Sequence, residues 1–282
     1  MSVKYISQMR AGYLSGGAWK RLYGLSVSVK DREEKEPLEP DGYRAPADVL
    51  AGRGWSEITL SGKACAREVK DLLQGASRGS QSPLTVSVWY NGYLYANAAL
   101  TGWGVSQKNG EPEWEFKLMG AKGVRQAEPQ WSALAERPPV FRGRKKQDGT
   151  GGTSVKRGSP LADVPDWYSF SLDVEGLSKN GYYGYAWSPS FTGCPRMEAR
   201  FTLNWDADPD NVDASLSAGA QAWQIANSTG DASFTIGFLA ACLESKGYGD
   251  EQGLVKSYTG VFEVLEDTDR IISVSVDDGE SE

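Results

Sequence analysis

Hydrophobic and polar residues alternate with a period of two along many short stretches of the chain. Leu25, Val27 and Val29 alternate with serine and lysine, and Asn91-Gly92 separates two further stretches as a tight hairpin turn does. Alternate residues of a strand point to opposite faces of a sheet, so the pattern predicts half-buried antiparallel strands. We expect a mainly β protein, with further strands over 57–60, 84–101, 114–118, 168–174, 200–205, 233–240, 256–265 and 271–276.

Two segments have helical periodicity instead. Residues 64–74 place Cys65 and Leu72 on one apolar stripe, with charged residues on the opposite side. Residues 213–226 follow an acidic cap at Asp210 and carry their own apolar stripe. Each predicted helix lies between two predicted strands.

The order of predicted elements occurs twice. The strands that begin at Leu25 and Glu57 have counterparts at Tyr168 and Arg200, at the same separation along the chain in both cases. The hairpin within 84–101 then matches 233–240 with 256–265, and the strand 114–118 matches 271–276. We interpret this order as an internal duplication of a β-β-α-β-β-β unit. The alternative is that any all-β chain can be aligned this loosely.

The fold class expected is therefore mainly β, with duplicated antiparallel β-sandwich or barrel-forming units that each carry a flanking α-helix. The predicted organisation is a first β domain over 1–120 with a long loop at 31–54, a basic Gly/Pro-rich loop or linker over 121–165, and a second β domain over 166–282.

Charge is distributed unevenly along the chain. The net charge of -7 combines nine basic and three acidic residues in 121–160 with three basic and sixteen acidic residues in 201–282. The basic segment contains the run Arg142, Arg144, Lys145 and Lys146, which can bind phosphate or an acidic surface. A basic arm and an acidic body on one chain favour contacts between copies of the same protein.

Composition excludes much common enzymology. The chain has no histidine, so no Ser-His-Asp triad, imidazole base or His-bearing metal site is available. Cys65, Cys194 and Cys242 are far apart, and neither a phosphate-binding loop nor a dinucleotide motif is present. Glu113 and Glu115 form a carboxylate pair, which a solvent-facing strand explains without catalysis. We expect no catalytic residues, no cofactor and no membrane span.

An acidic cluster precedes the second predicted helix. Asp206, Asp208, Asp210 and Asp213 begin like a calcium loop, since calcium prefers oxygen ligands at alternate positions of a turn. Ser217 stands where such a loop needs glutamate, which favours a helix cap over a metal site. We therefore predict no metal and treat these four aspartates as candidates for an acidic surface.

Aromatic residues cluster around glycines in two places, 89–95 and 182–187. Such clusters can stack on sugar rings, and sheets also use them for cross-strand packing, which we favour. A two-domain β-sandwich binding module that recognises carbohydrate or a receptor is therefore the alternative function.

The element order resembles that of tail tube proteins of long-tailed bacteriophages, in the variety with two tube domains in one chain. The resemblance is carried by Ile58-Thr-Leu-Ser-Gly-Lys with 65–74, by the hairpin 86–98 and by the strand 114–120. Their counterparts in the second half are 200–206, 212–226, 233–240 and 270–276. The resemblance lies in the order of the elements and in their pattern of apolar and polar residues, and no short motif is diagnostic of the family.

The resemblance implies a structural, non-enzymatic virion protein that is made in the host cytoplasm and assembles into the tail. Three two-domain chains would close a pseudo-hexameric ring, and stacked rings would form a tube with an acidic lumen for DNA passage. The partners implied are the chain itself, terminator, tape measure and baseplate proteins, and DNA in transit. The candidates for contacts between rings are Arg142, Arg144, Lys145 and Lys146. The candidates for the acidic lining of the lumen are Asp206, Asp208, Asp210 and Asp213.

Overall fold

Strands with one apolar face bury that face in a core shared by both halves of the chain. The computed structural model confirms the mainly β fold, with strands of both halves in one antiparallel sheet. The structure describes residues 10–38, 48–73, 84–108, 110–132, 139–143, 151–164, 167–175, 180–183, 186–189, 198–205, 219–230, 232–250, 256–264 and 272–279.

The first half contains one helix and eight strands among these residues. They are β1 (Ala11–Ser15), β2 (Ala18–Arg21), β3 (Leu25–Leu38), β4 (Asp48–Gly62), α1 (Ala66–Leu73), β5 (Thr85–Tyr90), β6 (Tyr93–Gln107), β7 (Glu113–Ala121) and β8 (Val124–Arg125).

The described part of the second half contains ten strands. They are β9 (Gly152–Arg157), β10 (Ala162–Asp163), β11 (Trp167–Glu175), β12 (Asn180–Tyr183), β13 (Ala186–Pro189), β14 (Glu198–Trp205), β15 (Gln221–Thr229), β16 (Ala232–Asp250), β17 (Lys256–Val264) and β18 (Ser273–Asp277). β12 and β13 form a separate hairpin.

The same order of seven strands occurs in both halves. In the first unit the neighbours run β2-β1-β5-β6-β7-β4-β3, and in the second they run β10-β9-β15-β16-β17-β14-β11. β6 changes register against β7 between Leu100 and Gly102, and β16 changes register against β17 between Leu243 and Ser245. These positions are separated by the same interval that separates Leu25 from Tyr168. Strand order and register thus support the duplication.

The repeat differs in extent from the sequence-based alignment. The counterpart of β7 is β17, at Lys256–Val264, and not the strand predicted at 271–276. β9 and β10 occupy the places of β1 and β2, so the second unit begins within the segment 121–165 that we predicted to be a linker. Hairpins at both unit starts escape detection because their strands are short.

The prediction of a second helix over 213–226 is wrong from residue 221 onward, and residues 206–218 lie outside the described part. Gln221–Thr229 is a strand in which Trp223, Ile225 and Asn227 are buried at every second position. The apolar residues of this segment fit both a helical stripe and a period-two strand face. Pairing with β9 and β16 buries the strand face, so tertiary pairing decides in favour of the strand.

The prediction of a loop over 31–54 is also wrong for residues 31–38 and 48–54, and residues 39–47 lie outside the described part. β3 and β4 form a long hairpin whose pairing extends to Leu38 and Asp48. The hairpin satisfies backbone N–H and C=O groups by pairing alone, so it does not require an apolar pattern in its outer part. Pro37 fits because β3 has no second neighbour among the described strands.

Helix α1 is held by a buried carboxylate at its first turn. Glu68 is fully buried, and its Oε2 accepts a hydrogen bond from the Cys65 amide at 2.8 Å. The amides of Tyr23 and Gly24 donate to the same carboxylate at 2.6 and 3.3 Å. Burial raises the pKa of Glu68, and these backbone donors oppose the rise. The cap therefore fixes the turn before β3 to the helix.

Residues 139–143, here called the strap, connect the two units. The Ala66 amide donates to the Pro139 carbonyl at 2.9 Å, which joins the strap to the start of α1. Asn227 Nδ2 of β15 donates to the Arg142 carbonyl at 2.7 Å and to Thr153 Oγ1 at 2.7 Å. The strap thus hydrogen-bonds to both units within a short stretch of chain.

An aromatic cluster lies beneath the strap. Phe141 is buried, with its ring centroid 4.9 Å from that of Phe234 in the second unit. Trp114 of the first unit contacts both rings, at 6.3 Å from Phe141 and 5.2 Å from Phe234. Edge-to-face packing at these distances adds to the area buried. The core therefore crosses the boundary between the units.

Replacing Phe141 with alanine should lower the free energy of unfolding by about 3–5 kcal/mol, because it leaves a cavity between the units. Urea unfolding followed by tryptophan fluorescence measures the change. Val124→Ala is the control: Val124 is 67% exposed, so its loss should cost at most about 0.5 kcal/mol. An equally small loss for Phe141→Ala would show that the cluster does not hold the units together.

Candidate functional site

The two units jointly form a charged surface on the outer face of the sheet where they meet. On β7, Trp114 and Phe116 are buried while Glu113 and Glu115 are exposed. On β11, Leu172 and its alternate neighbours are buried, and the residues between them face outward. Period-two alternation therefore places charged residues of both units on one face.

The strand register arranges these residues in rows across the sheet. β6 lies between β7 and β11, so Glu115 is opposite Gly104, which in turn is opposite Asp173. Asp173 is then opposite Arg200 on β14. We call this outer surface of β7, β6, β11 and β14 the junction face. Among the side chains that the structure describes, its charged residues are Glu113, Glu115, Lys117, Asp173, Glu175 and Arg200.

The glycines of β6 let the two units approach. A Cβ on Gly102 would lie 2.8 Å from the Val174 carbonyl oxygen, and one on Gly104 would lie 2.9 Å from Asp173 Oδ1. Lys117 lies across Gly102, and its Nζ binds Glu175 Oε1 at 2.6 Å. The pair is exposed, so it contributes little to stability and mainly orients the two side chains.

The described side chains of the junction face are acidic in balance, with four carboxylates and two cations. Partial removal from water raises the pKa of Asp173, and the nearby carboxylates of Glu115 and Glu175 add to the rise. Lys117 acts on this pKa in the opposite direction. Removal from water is therefore the main reason for the raised pKa of Asp173, and the charges of the face act on it in both directions.

A shallow open groove of about 380 Å³ runs along this face. It is lined by residues of five strands, β3, β4, β7, β6 and β11: Ser26, Ser61, Gly62, Glu113, Trp114, Glu115, Gly104, Val105, Ser106 and Asp173. Such a lining has few apolar contacts for a small molecule, and it suits a hydrated polar surface.

The residues predicted for partner contact are placed only in part. Arg142 lies in the strap with an exposed side chain, and its carbonyl accepts the hydrogen bond from Asn227. Arg144, Lys145 and Lys146 lie outside the described residues. The predicted lumen candidates Asp206, Asp208, Asp210 and Asp213 lie outside them as well.

Sequence reasoning did not identify the junction face as a site. Glu113 and Glu115 were assigned to a solvent-facing strand surface, and they do face outward. What the sequence did not reveal is that Asp173 and Glu175 join them across Gly102 and its neighbours. The glycines on alternate positions of β6 were the available signal, because close strand approach favours glycine.

The first aromatic cluster is used mainly for packing. Trp89 is buried, its ring lies 5.7 Å from that of Trp131, and its Nε1 donates to the Gln126 carbonyl. Tyr95 is buried, whereas Tyr93 is exposed. The side chains of the second cluster, 182–187, lie outside the part of the chain that the structure describes. A sugar-binding surface in the first cluster would therefore depend on Tyr93.

Cysteine and metal chemistry have little basis in the described part of the chain. Cys65 is buried, and burial followed by the charge of Glu68 raises the pKa of its thiol to about 12. Within the described ranges, no three cysteine or carboxylate side chains lie close enough to hold a metal ion. No helix there is both long and apolar enough to span a membrane.

Comparison with known proteins gives no relative from which a role can be transferred. No protein-family model matches the chain, and no curated protein is significantly similar to it in sequence.

Replacing Lys117 with methionine should raise the pKa of Asp173 further above its ordinary value of 3.8, because the opposing cation is lost. Carbon-13 NMR titration of the aspartate carboxyl carbons measures this shift. Lys122→Met is the control, since Lys122 instead pairs with Glu33 at 3.6 Å. An unchanged or lower pKa for Asp173 would contradict the electrostatics assigned to this face.

The same titration has a defined effect on stability. The folded pKa of Asp173 is raised, so its stabilising contribution is present below the unfolded pKa and lost as pH rises through the folded pKa. Lys117→Met should enlarge that loss, and Asp173→Asn should abolish it. Urea unfolding measured at a series of acidic pH values checks both expectations.

Proposed function

We propose that this chain is a structural, non-enzymatic protein that forms the tube of a long bacteriophage tail by ring formation and stacking. The observation that carries the proposal is the seven-strand unit present twice and joined edge to edge in one sheet. A unit that pairs laterally with its own repeat has the geometry needed to pair with further copies. The elements of the first half follow the order of tail tube proteins, whereas the second half has a strand over 221–226 where that order has a helix, and β17 as the counterpart of β7.

Two units per chain suit a ring built from three chains. Six units would then follow one another around the ring, with each chain contributing a pair already joined through β6 and β11. Covalent linkage of two units halves the number of interfaces that must form between separate chains. The ring would be trimeric in chains and pseudo-hexameric in units.

The junction face is the part of the described structure that supports an acidic lumen. Glu113, Glu115, Asp173 and Glu175 outnumber Lys117 and Arg200 on this face. DNA carries a dense row of phosphates, and an acidic surface gives it no counterion-releasing contacts. A lumen lined by this face would let DNA pass without being retained. The aspartates at 206, 208, 210 and 213 would add to that charge.

Stacking of rings is assigned to segments that project from the shared sheet. The outer part of the β3–β4 hairpin, beyond the pairing of β4 with β7, has no strand neighbour in the described chain. The basic run of Arg142, Arg144, Lys145 and Lys146 is the second candidate, because it can meet an acidic neighbour. Terminator, tape measure and baseplate proteins would contact the ends and the lumen of such a tube in the virion.

The purified chain should form rings or tubes visible by negative-stain electron microscopy and sediment well above a 30.6 kDa monomer. A glycan array run in parallel tests the alternative of a carbohydrate-binding module. A chain that stays monomeric over a wide concentration range, with or without sugar binding, would overturn the proposed function.

Charge reversal on the junction face should make assembled tubes retain duplex DNA. In the variant Glu113→Lys with Glu115→Lys, the lumen gains phosphate contacts, so DNA added during assembly should co-sediment in a salt-dependent manner. The matched control is Asp163→Lys with Asp277→Lys, two exposed aspartates on other strands. Equal DNA retention by both variants would show that the junction face does not line the lumen.

A further inference from the structure

The two units share the irregularities of their sheets as well as their strand order. β5 and β6 change register between Val86 and Val88, and β15 and β16 do so between Gln221 and Trp223. The first register change lies on β6 in one unit and on β16 in the other, and these two positions are as far apart along the chain as Leu25 and Tyr168. The later register changes, of β6 against β7 and of β16 against β17, are separated by the same number of residues. Bulges mark fixed positions in a fold, so they equate each residue of β6 with one of β16.

One edge of β6 receives the second unit. β5 pairs with this edge as far as Ala99, and β11 takes it over for residues 102–107. On β16, the strand β15 leaves the equivalent edge at Ala241. Among the described residues, no strand pairs with that edge over 245–250. The same docking position is therefore filled in the first unit and open in the second.

The strand that fits such a position also occurs twice. β11 pairs with β14 on one edge and uses its other edge to bind β6. β3 is the equivalent of β11 in the first unit. The residue pairs that β3 forms with β4 recur between β11 and β14, shifted along the chain by the interval from Leu25 to Tyr168. In the part of the chain that the structure describes, the outer edge of β3 has no neighbour. Within the described ranges, each chain thus leaves one strand edge of each kind unpaired.

We propose that residues 27–32 of one copy pair antiparallel with residues 245–250 of the next copy, repeating the junction between β11 and β6. In that junction Ser171 is opposite Ser106 and Asp173 is opposite Gly104. Replacing each residue by its equivalent in the other unit gives the register between copies. Ser28, the equivalent of Ser171, then lies opposite Gly249 of the neighbouring copy, the equivalent of Ser106.

The sequence keeps a critical glycine at the predicted contact. In the internal junction, a Cβ at Gly104 would lie 2.9 Å from Asp173 Oδ1 and 3.0 Å from the Leu172 carbonyl oxygen, so glycine there lets β11 approach without a shift. Its equivalent on β16 is Gly247, which the proposed register places opposite Lys30. A neighbouring strand therefore meets no side chain of β16 at Gly247. The equivalent of Gly102 is Ser245, so at that position the two strands between copies must lie farther apart than β11 and β6 do.

The pairing is head to tail, since the two edges belong to different strands. Such a heterologous interface closes into a ring when its rotation permits, and it also covers edges that would otherwise favour aggregation. This inference rests on the self-assembly in the proposed function and not on its assignment to a virion. It adds the strands and the residue register through which copies join.

Disulfide trapping tests the register directly. Copies carrying Ser28→Cys are mixed with copies carrying Gly249→Cys and oxidised mildly after assembly, and non-reducing gels report the crosslink. Residues directly opposite on paired strands are close enough for a disulfide. We expect crosslinking about tenfold above the control, Ser26→Cys mixed with Gly249→Cys, which is out of register by one pleat repeat. The unsubstituted chain corrects for its native cysteines.

Three outcomes are distinguishable when sedimentation is measured on the same samples. Crosslinking of the 28/249 pair well above the 26/249 pair supports the proposed register. Assembly without preferential crosslinking overturns the inference and leaves the proposed function standing. Failure of every sample to assemble, including the unsubstituted chain, overturns both.

Discussion

The antiparallel ladder between β6 and β11 is the contact on which the rest of the structure depends. It turns two seven-strand units into one sheet, and glycine at 102 and 104 leaves room for the backbone of β11 and the carboxyl group of Asp173. The ladder also fixes which side chains share a face. The acidic junction face follows from this one pairing.

The aromatic core and the strap both contact the two units and hold them together. Phe141 lies between Trp114 of the first unit and Phe234 of the second, while the strap backbone hydrogen-bonds to α1 and to Asn227. A segment that carries a strongly basic run thus also holds structural contacts.

Sequence patterns predicted local structure well where one interaction dominated. The Asn91-Gly92 turn has positive φ at both residues, as a tight hairpin requires, and α1 spans Ala66–Leu73 within the predicted 64–74. Predictions failed where two patterns competed, as in Gln221–Thr229, or where backbone pairing needed no apolar pattern, as in the β3–β4 hairpin. The site was missed because its carboxylates come from strands that are far apart in the sequence.

The sequence by itself determined the class of fold, the strand faces and the spacing of the internal repeat, because alternation and turn residues report local burial and local geometry. Only the tertiary structure decided which strand edges meet, where the second unit begins and which charges share the junction face. The reason is physical: every residue except proline offers the same backbone N–H and C=O groups, so edge pairing leaves almost no mark on the side-chain sequence. The glycines at 102 and 104 are an exception, since there the pairing itself excludes a side chain.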